Sequence, residues 1–435
     1  MTRGKRGLEA LLLAVLLAVV ALLDLDDLTF HADESSRIAS SKSFEALVGL
    51  DFDSPVWEER HLMLTQPPLS RYVIGVGRTL GGYDASALNT SWQWDRSDAA
   101  NIKAGAMPSP ALLWWSRLPM AVLAVGSGLL LFLLARAIAG PAGGYAILLL
   151  YVANDYVLYT IRLALGEGPL LAAALLATVA ACQAVRHWPR AADAATPSWR
   201  AYRPALVWLT VCGVAGGLAG AAKLNGLAAA LAGVVMAVVL ALAGDRGLSL
   251  ARRAGLALAG GALVALSAAA VFVAVNPFLY SDPVGRSLEM LAFRVDEMEQ
   301  QYEATPPSRI ADLHDRLTIV PQRVFKQHAT LDFPLALRLN LALTAAGFAY
   351  LLYRSGRWLR GDQAAGAAMV ALVFGVTLSA PALLTPLDWP RYFLFPVVFS
   401  TLCIAVALGG AARWLWSQRR AANQAISASR GGSGV

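Results

Sequence analysis

The sequence predicts an all-α polytopic membrane protein with about ten transmembrane helices, or as many as eleven or twelve. Of its 435 residues, 57% are apolar and 15% are charged. Soluble domains are usually about 45–50% apolar and about 25% charged. The apolar residues also collect in runs near the ~20 residues that a helix needs to cross a bilayer. This composition excludes an ordinary soluble enzyme and a disordered chain.

Ten apolar runs are predicted to span the membrane. They cover residues 7–23, 112–139, 143–160, 165–185, 204–222, 224–244, 253–275, 335–353, 364–384 and 391–416. The first run resembles a signal peptide, but Asp24, Asp26 and Asp27 follow it where small residues would mark a cleavage site. It is therefore predicted to be a retained span.

The charges predict the orientation of these spans. With a cytoplasmic N-terminus, the cytoplasmic segments contain eighteen basic and four acidic residues. Such an excess is typical of cytoplasmic loops. The net charge of +7 thus reflects topology, and no nucleic-acid partner is predicted. The sequence indicates a multi-pass protein of the plasma or inner membrane.

Two long segments, residues 24–111 and 276–334, are predicted on the external side. Loops of this length usually carry function. Amphipathic stretches at 35–48, 70–80 and 287–302 predict helices that lie along the membrane surface.

The domain organisation follows from these spans. Residues 1–416 are predicted to form one transmembrane domain. Residues 417–435, which end in a Ser/Gly-rich stretch, are predicted to be a disordered cytoplasmic tail.

Acidic residues follow the first span. His31, Asp33 and Glu34 stand in a segment where Asp33 is a good helix N-cap and acids suit a first helical turn. The alternative is a catalytic carboxylate at the outer membrane surface, and the two interpretations are compatible. Further along, Pro67 and Pro68 predict a rigid entry into a surface helix.

Three cations stand at the outer ends of three separate hairpins, although basic residues are disfavoured there. They are Arg162, Lys223 and Arg391. Each alone could be an interfacial anchor. Together they predict a site for a phosphate at the membrane surface.

At these residues the chain resembles a known family. The features that carry the resemblance are Asp33-Glu34, Pro67-Pro68-Leu69, the turn at Arg162, Gly-x-x-x-x-Lys-x-x-Gly around Lys223, Asn276-Pro277 and Asp388-Trp389-Pro390-Arg391-Tyr392. They resemble, over roughly residues 1–410, the GT-C membrane glycosyltransferases that use polyprenyl-phosphate sugars. The most similar group is the dolichyl-phosphate-mannose protein mannosyltransferase-like group, glycosyltransferase family 39.

The resemblance implies a reaction and its residues. Asp33 would be the general base on an acceptor hydroxyl, with Glu34 in support, and the sugar would be transferred with inversion from a polyprenyl-phosphate donor on the external face. Arg162, Lys223 and Arg391 would stabilise the leaving phosphate. Supporting or acceptor-side roles fall to His31, Pro67, Pro68, Glu167, Asp388 and Tyr392.

The sequence predicts no metal ligands and no required cofactor, since its cysteines and histidines show no metal-binding spacing; dependence on a divalent metal stays open. Its partners are the lipid-linked donor, membrane lipid and a hydroxyl acceptor on protein, glycan or lipid. Glu167 stands where the family usually has aspartate, and relatives commonly have more spans. These departures leave the sugar and the acceptor open.

Two other functions remain in competition with the transferase. A secondary transporter or flippase would show ionisable groups near mid-membrane and inverted repeats. A non-catalytic scaffold of an envelope assembly would tolerate the loss of Asp33. Because most charges stand at span ends and the long loops are external, the sequence favours chemistry at the membrane surface.

Overall fold

The fold is helical throughout the part of the chain that the computed structural model describes, which is residues 3–189, 199–244, 247–331 and 333–431. The helices are α1 (Arg3–Leu22), α2 (Ala32–Ser40), α3 (Ser43–Val48), α4 (Arg60–Thr65), α5 (Leu69–Leu80), α6 (Asp98–Lys103), α7 (Pro110–Val152), α8 (Asp155–Arg162), α9 (Glu167–His187), α10 (Trp199–Ala222), α11 (Leu227–Ala243), α12 (Leu250–Ala274), α13 (Pro283–Ala304), α14 (Leu313–Gln322), α15 (Ala336–Leu359), α16 (Gly366–Leu384) and α17 (Leu394–Gly431). The predicted all-α class is confirmed.

Eight helices within these ranges are long and apolar enough to cross a membrane, and a shorter apolar helix covers Gly7–Leu22. The helix α7 contains the predicted span 112–139 and the first part of the span 143–160, and Gly140, with φ of 74°, reverses the chain between them. Its two limbs pack side by side: the rings of Phe132 and Tyr145 are 5.6 Å apart, and Tyr151 Oη donates to the carbonyl of Ala124 at 2.7 Å. With this hairpin and α1, the helices agree with about ten spans.

The predicted third span, 143–160, is broken near its end. The α7 helix ends at Val152, and the Asn154 side chain accepts a hydrogen bond from the Val157 amide at the start of α8. Asn154 thus caps the short helix that ends at Arg162.

Small residues let the spanning helices pack closely, as is common in membranes. A Cβ atom at Gly213 or at Gly217 would lie about 2.5 Å or less from a carbonyl oxygen of α12. A Cβ atom at Gly347 in α15 would lie 1.9 Å from the carbonyl oxygen of Cys403 in α17. Glycine at these positions therefore sets the distance between neighbouring helices.

We predict that Gly347→Ala destabilises the protein by ~1–3 kcal/mol, because the added methyl group must push α15 away from α17. Thermal unfolding in detergent, followed by tryptophan fluorescence, measures the effect. Gly356→Ala is the matched control, since it lies in the same helix with no atom within 4 Å of its added Cβ. Equal shifts for both variants would contradict the packing argument.

The two long segments form helices at the three predicted amphipathic stretches. The stretch 35–48 forms α2 and α3, the stretch 70–80 lies in α5, and the stretch 287–302 lies in α13.

The C-terminal tail differs from the prediction of disorder. The helix α17 continues to Gly431, since Ala, Gln and Arg, which favour helices, are frequent from residue 417 to 425. The last part of the tail, residues 432–435, lies outside the described residues.

Candidate active site

An open cavity of about 1020 Å³, including its mouth, lies at one end of the helix bundle. Its walls come from the start of α9, the α10–α11 junction, the α16–α17 junction, α2 and α13. Its charged lining residues are Arg37, Glu167, Lys223, Arg294, Glu297 and Arg391. The structure therefore brings together charged residues that are far apart in the sequence.

Arg391 connects this cavity to Asp33. Its guanidinium lines the cavity and donates a hydrogen bond to Asp33 Oδ2, forming an ion pair. Burial raises the pKa of Asp33, but the charge of Arg391 and the hydrogen bond that Arg391 donates outweigh burial and hold this pKa below its ordinary value. Asp33 is thus an ionised carboxylate at the edge of the cavity, with 18% of its side chain exposed.

Lys223 and Glu167 form a second ion pair inside the cavity. Lys223 Nζ lies 2.7 Å from Glu167 Oε1 and 5.3 Å from the centre of the Tyr392 ring. Glu167 is the first residue of α9 and only 3% of its side chain is exposed. The sequence predicts Lys223 and Arg391 at one site, and both line this cavity.

Arg37 is a further cavity cation, which the sequence analysis missed. It lies one helical turn after Asp33 on α2, is buried, and donates to Ser70 Oγ at 2.9 Å. Burial lowers the pKa of Arg37 to about 10, against the opposing effects of Glu167 and Asp33, so the guanidinium is charged at neutral pH. The i,i+4 spacing from Asp33 was the signal that could have identified it.

Glu34 does not line the cavity. Its carboxylate is fully buried and receives two hydrogen bonds from Arg117, at 2.8 and 2.7 Å, one from the Ala164 amide at 2.8 Å and one from the His31 amide at 3.1 Å. Glu34 therefore anchors the start of α2 to α7 and to the turn after α8. Arg117, another residue missed, was visible as one of the two arginines inside the apolar run 112–139.

His31, and not Asp33, is the N-cap of α2. Its Nδ1 accepts a hydrogen bond from the Asp33 amide at 3.1 Å, and Glu34 at the third helical position completes a capping box. Asp33 lies in the first turn, where its side chain remains available to Arg391. The capping role therefore belongs to His31, and the catalytic hypothesis concerns Asp33 alone.

Arg162 is a correction to the predicted phosphate site. Its guanidinium is buried against the end of α1, where it donates to the carbonyl of Leu23 at 2.8 Å, and it also donates to the carbonyl of Leu158 in its own helix, α8, at 3.0 Å. It does not line the cavity of Lys223 and Arg391. Carbonyl groups at a helix C-terminus attract cations, and they hold this side chain away from the cavity.

The remaining predicted residues divide between support and cavity lining. Pro67 and Pro68 are buried just before α5, and Asp388 is bound by Arg323 through two hydrogen bonds of 2.7 Å. None of these three lines the cavity. Tyr392 does line it, and its hydroxyl accepts a hydrogen bond from Arg294 at 2.9 Å.

We call five side chains the charge cluster. They are Asp33, Arg37, Glu167, Lys223 and Arg391. Its members interact electrostatically. Arg391 and Arg37 each interact with both Asp33 and Glu167. Three cations and two carboxylates leave one net positive charge, and the neighbouring Arg294–Glu297 ion pair does not change it. The cavity can thus neutralise an anion.

No group of three or more His, Cys, Asp or Glu side chains in the described ranges is placed to hold a metal ion.

Comparison with known proteins identifies the family. Residues 41–283, more than half of the chain, match the family described as dolichyl-phosphate-mannose-protein mannosyltransferase. The match includes Glu167 and Lys223 and excludes Asp33 and Arg391. No curated protein matches the chain significantly.

Two solved structures resemble the fold. One is the archaeal oligosaccharyltransferase AglB from Archaeoglobus fulgidus, in complex with an inhibitory peptide and a dolichol-phosphate, with a TM-score of 0.50 and 15% identity over 96% of this chain and 52% of AglB. The other is ArnT from Cupriavidus metallidurans bound to undecaprenyl phosphate, with a TM-score of 0.50 and 18% identity over 94% of this chain and 60% of ArnT.

The chain therefore spans between about half and three fifths of these proteins, and identity this low shows a shared fold only. Family and fold agree with the resemblance found in the sequence. The chain is a multi-pass membrane protein that belongs to the dolichyl-phosphate-mannose-protein mannosyltransferase family.

Proposed function

We propose that this protein transfers a sugar from a polyprenyl-phosphate donor to an acceptor hydroxyl, with inversion at the anomeric carbon. The observation that carries the proposal is the charge cluster: cations that suit a lipid phosphate lie beside an ionised carboxylate that suits a base. The crystallised neighbours support the donor class, since AglB was solved with a dolichol-phosphate and ArnT with undecaprenyl phosphate.

The proposed reaction uses Asp33 as general base. The acceptor hydroxyl gives its proton to Asp33 while its oxygen bonds to the anomeric carbon. The bond between that carbon and the phosphate oxygen breaks, and the phosphate leaves with the electron pair. No further reactant is needed.

The cations of the cavity would stabilise the charge that grows on the leaving phosphate. Lys223 and Arg391 keep the role that the sequence suggested, and Arg37 replaces Arg162. Glu34 acts as a positioning residue, because its hydrogen bonds fix the helical turn that carries Asp33.

The site is proposed to face the external side of the membrane. The cavity lies at the end of the bundle where the two long segments meet, and the basic short loops belong to the opposite end. This orientation follows from the positive-inside rule.

A donor panel tests the function directly. Purified protein is incubated with radiolabelled polyprenyl-phosphate sugars, including mannose, and with an envelope extract that supplies acceptors. Transfer from one of these donors is expected. Absence of transfer from every donor, together with substrate uptake in proteoliposomes, would instead identify a transporter.

We predict that Lys223→Met lowers the rate of transfer by ~10²–10³-fold, the usual effect of removing one group that stabilises a developing oxyanion. The rate measured with the best donor of the panel checks this. Lys103→Met is the matched control, since Lys103 is an exposed lysine of the first external segment and lies outside the cavity. A similar loss in both variants would remove Lys223 from the phosphate site.

A further inference from the structure

Two cations of the cavity are paired with carboxylates of the protein itself. Asp33 forms an ion pair with Arg391, and Glu167 forms one with Lys223. A phosphate that binds to both cations must therefore compete with carboxylates of the protein itself. The two ion pairs differ in how easily they can open.

Burial distinguishes the two pairs. The side chains of Asp33 and Arg391 are 18% and 28% exposed, and Glu167 is 3% exposed at the first turn of α9. A carboxylate that loses its partner needs other groups or water to solvate it. Asp33 lies where water can reach it, whereas a separated Glu167 would remain buried. The Asp33–Arg391 pair is therefore the one that opens.

We propose that Asp33 acts as a placeholder for the donor phosphate on Arg391, so that binding of the lipid phosphate transfers Arg391 to the phosphate and frees Asp33 to act as the base. This inference rests on the proposed function. It makes the base available only when a donor is in place.

The charges of the cluster agree with this exchange. The donor is a phosphodiester with one negative charge, which matches the single net positive charge of the charge cluster. After transfer, Asp33 holds the proton of the acceptor and the cluster has two net positive charges. The product is a phosphate monoester with about two negative charges. The site stays close to neutral before and after the reaction.

The surroundings of Asp33 determine how the exchange changes its acidity. His31 faces it from the residue before α2, Arg37 from the same helix and Arg391 from the turn just before α17, and Glu167 is coupled through Arg391. Arg391 has the largest effect among the groups that lower the pKa of Asp33. When Arg391 turns to the phosphate, this pKa rises and the carboxylate becomes a stronger base.

A binding experiment with polyprenyl monophosphate, a ligand without a sugar, tests the exchange at pH 8. Asp33→Asn is expected to bind this lipid about tenfold more tightly than the wild type, because the competing carboxylate is gone. Arg391→Gln is expected to bind it at least tenfold more weakly. In the double variant, which combines Asp33→Asn with Arg391→Gln, the Asp33 change should not increase the affinity for the lipid. The reason is that the carboxylate and the phosphate compete for Arg391.

Asp53→Asn is the matched control, since Asp53 is an exposed acid of the same external segment and lies outside the cavity. Its affinity should equal that of the wild type. Unchanged or weaker binding by Asp33→Asn overturns the exchange. Absence of lipid binding by the wild type instead contradicts the proposed donor class, so the two failures are distinguishable.

A labelling experiment on the wild type avoids any folding defect of the variants. A hydrophobic carbodiimide modifies carboxyl groups that carry a proton and are not held in an ion pair. Polyprenyl monophosphate is expected to increase modification of Asp33, as measured by peptide mass spectrometry. Protection of Asp33 by the lipid would contradict the exchange.

Discussion

Asp33→Asn is expected to lower the rate of sugar transfer by ~10²–10⁴-fold, because the amide cannot accept the proton of the acceptor hydroxyl. Asparagine has nearly the same shape, and the capping bonds of α2 come from His31 and Glu34, so the helix should remain folded. The measurement is the initial rate of transfer at saturating donor and acceptor. Unfolding temperature is recorded alongside it.

Asp53→Asn provides the control for the general effect of removing an external carboxylate, and its rate should be unchanged. A rate of Asp33→Asn within threefold of the wild type would contradict its role as base. Loss of transfer together with a large fall in unfolding temperature would show only that Asp33 supports the fold.

The transfer rate of the wild type is expected to fall at low pH. A base must be ionised, so the rate falls as pH falls through the pKa of Asp33. The profile of kcat/KM reports the free protein, where Arg391 holds this pKa low, and the profile of kcat reports the donor complex. If Arg391 moves to the phosphate, the pKa of Asp33 is higher in the donor complex than in the free protein. The acid limb of the kcat profile then lies at higher pH than the acid limb of the kcat/KM profile. Coincident limbs would indicate that Arg391 stays with Asp33.

The spans could be predicted from the sequence because the bilayer constrains composition and length directly. The hairpin at Gly140 shows the limit of this reasoning: the break between the two spans was visible, whereas the continuation into α8 depends on the side chain of Asn154. Lys223 and Arg391 could be placed at the same end of the bundle from topology alone, since both stand at short turns that are predicted on the same side of the membrane.

Topology did not determine which way each side chain points. Arg162 lies at a predicted external turn like Lys223, yet it binds carbonyl groups at the end of α1 and stays outside the cavity. Glu34 adjoins Asp33 in sequence, but successive residues of a helix point about 100° apart, and Glu34 faces α7. Pairing with Arg117 required a tertiary contact between residues 83 positions apart.

Breaking the ion pair of Glu34 and Arg117 is expected to have the largest effect on stability. Neither side chain is exposed, and Arg117 also donates to the carbonyls of Leu25 and Leu28, at 3.2 and 2.9 Å. Glu34→Leu would leave a buried guanidinium without its counter-charge, at a cost of ~3–5 kcal/mol. Unfolding in detergent, monitored by tryptophan fluorescence, measures this loss. Transfer should fall as well, because the turn that carries Asp33 loses its anchor.

The double variant Glu34→Leu with Arg117→Met separates the cost of an unpaired charge from the value of the pair itself. Apolar replacement of both partners of a buried ion pair is often neutral, so this variant should recover most of the lost stability. It should not recover transfer, because leucine cannot accept the hydrogen bonds from the Ala164 and His31 amides that orient the start of α2. Glu303→Leu, at the exposed pair with Arg309, serves as the control and should change stability little. Recovery of both stability and transfer in the double variant would show that Glu34 acts through charge balance alone and does not position Asp33.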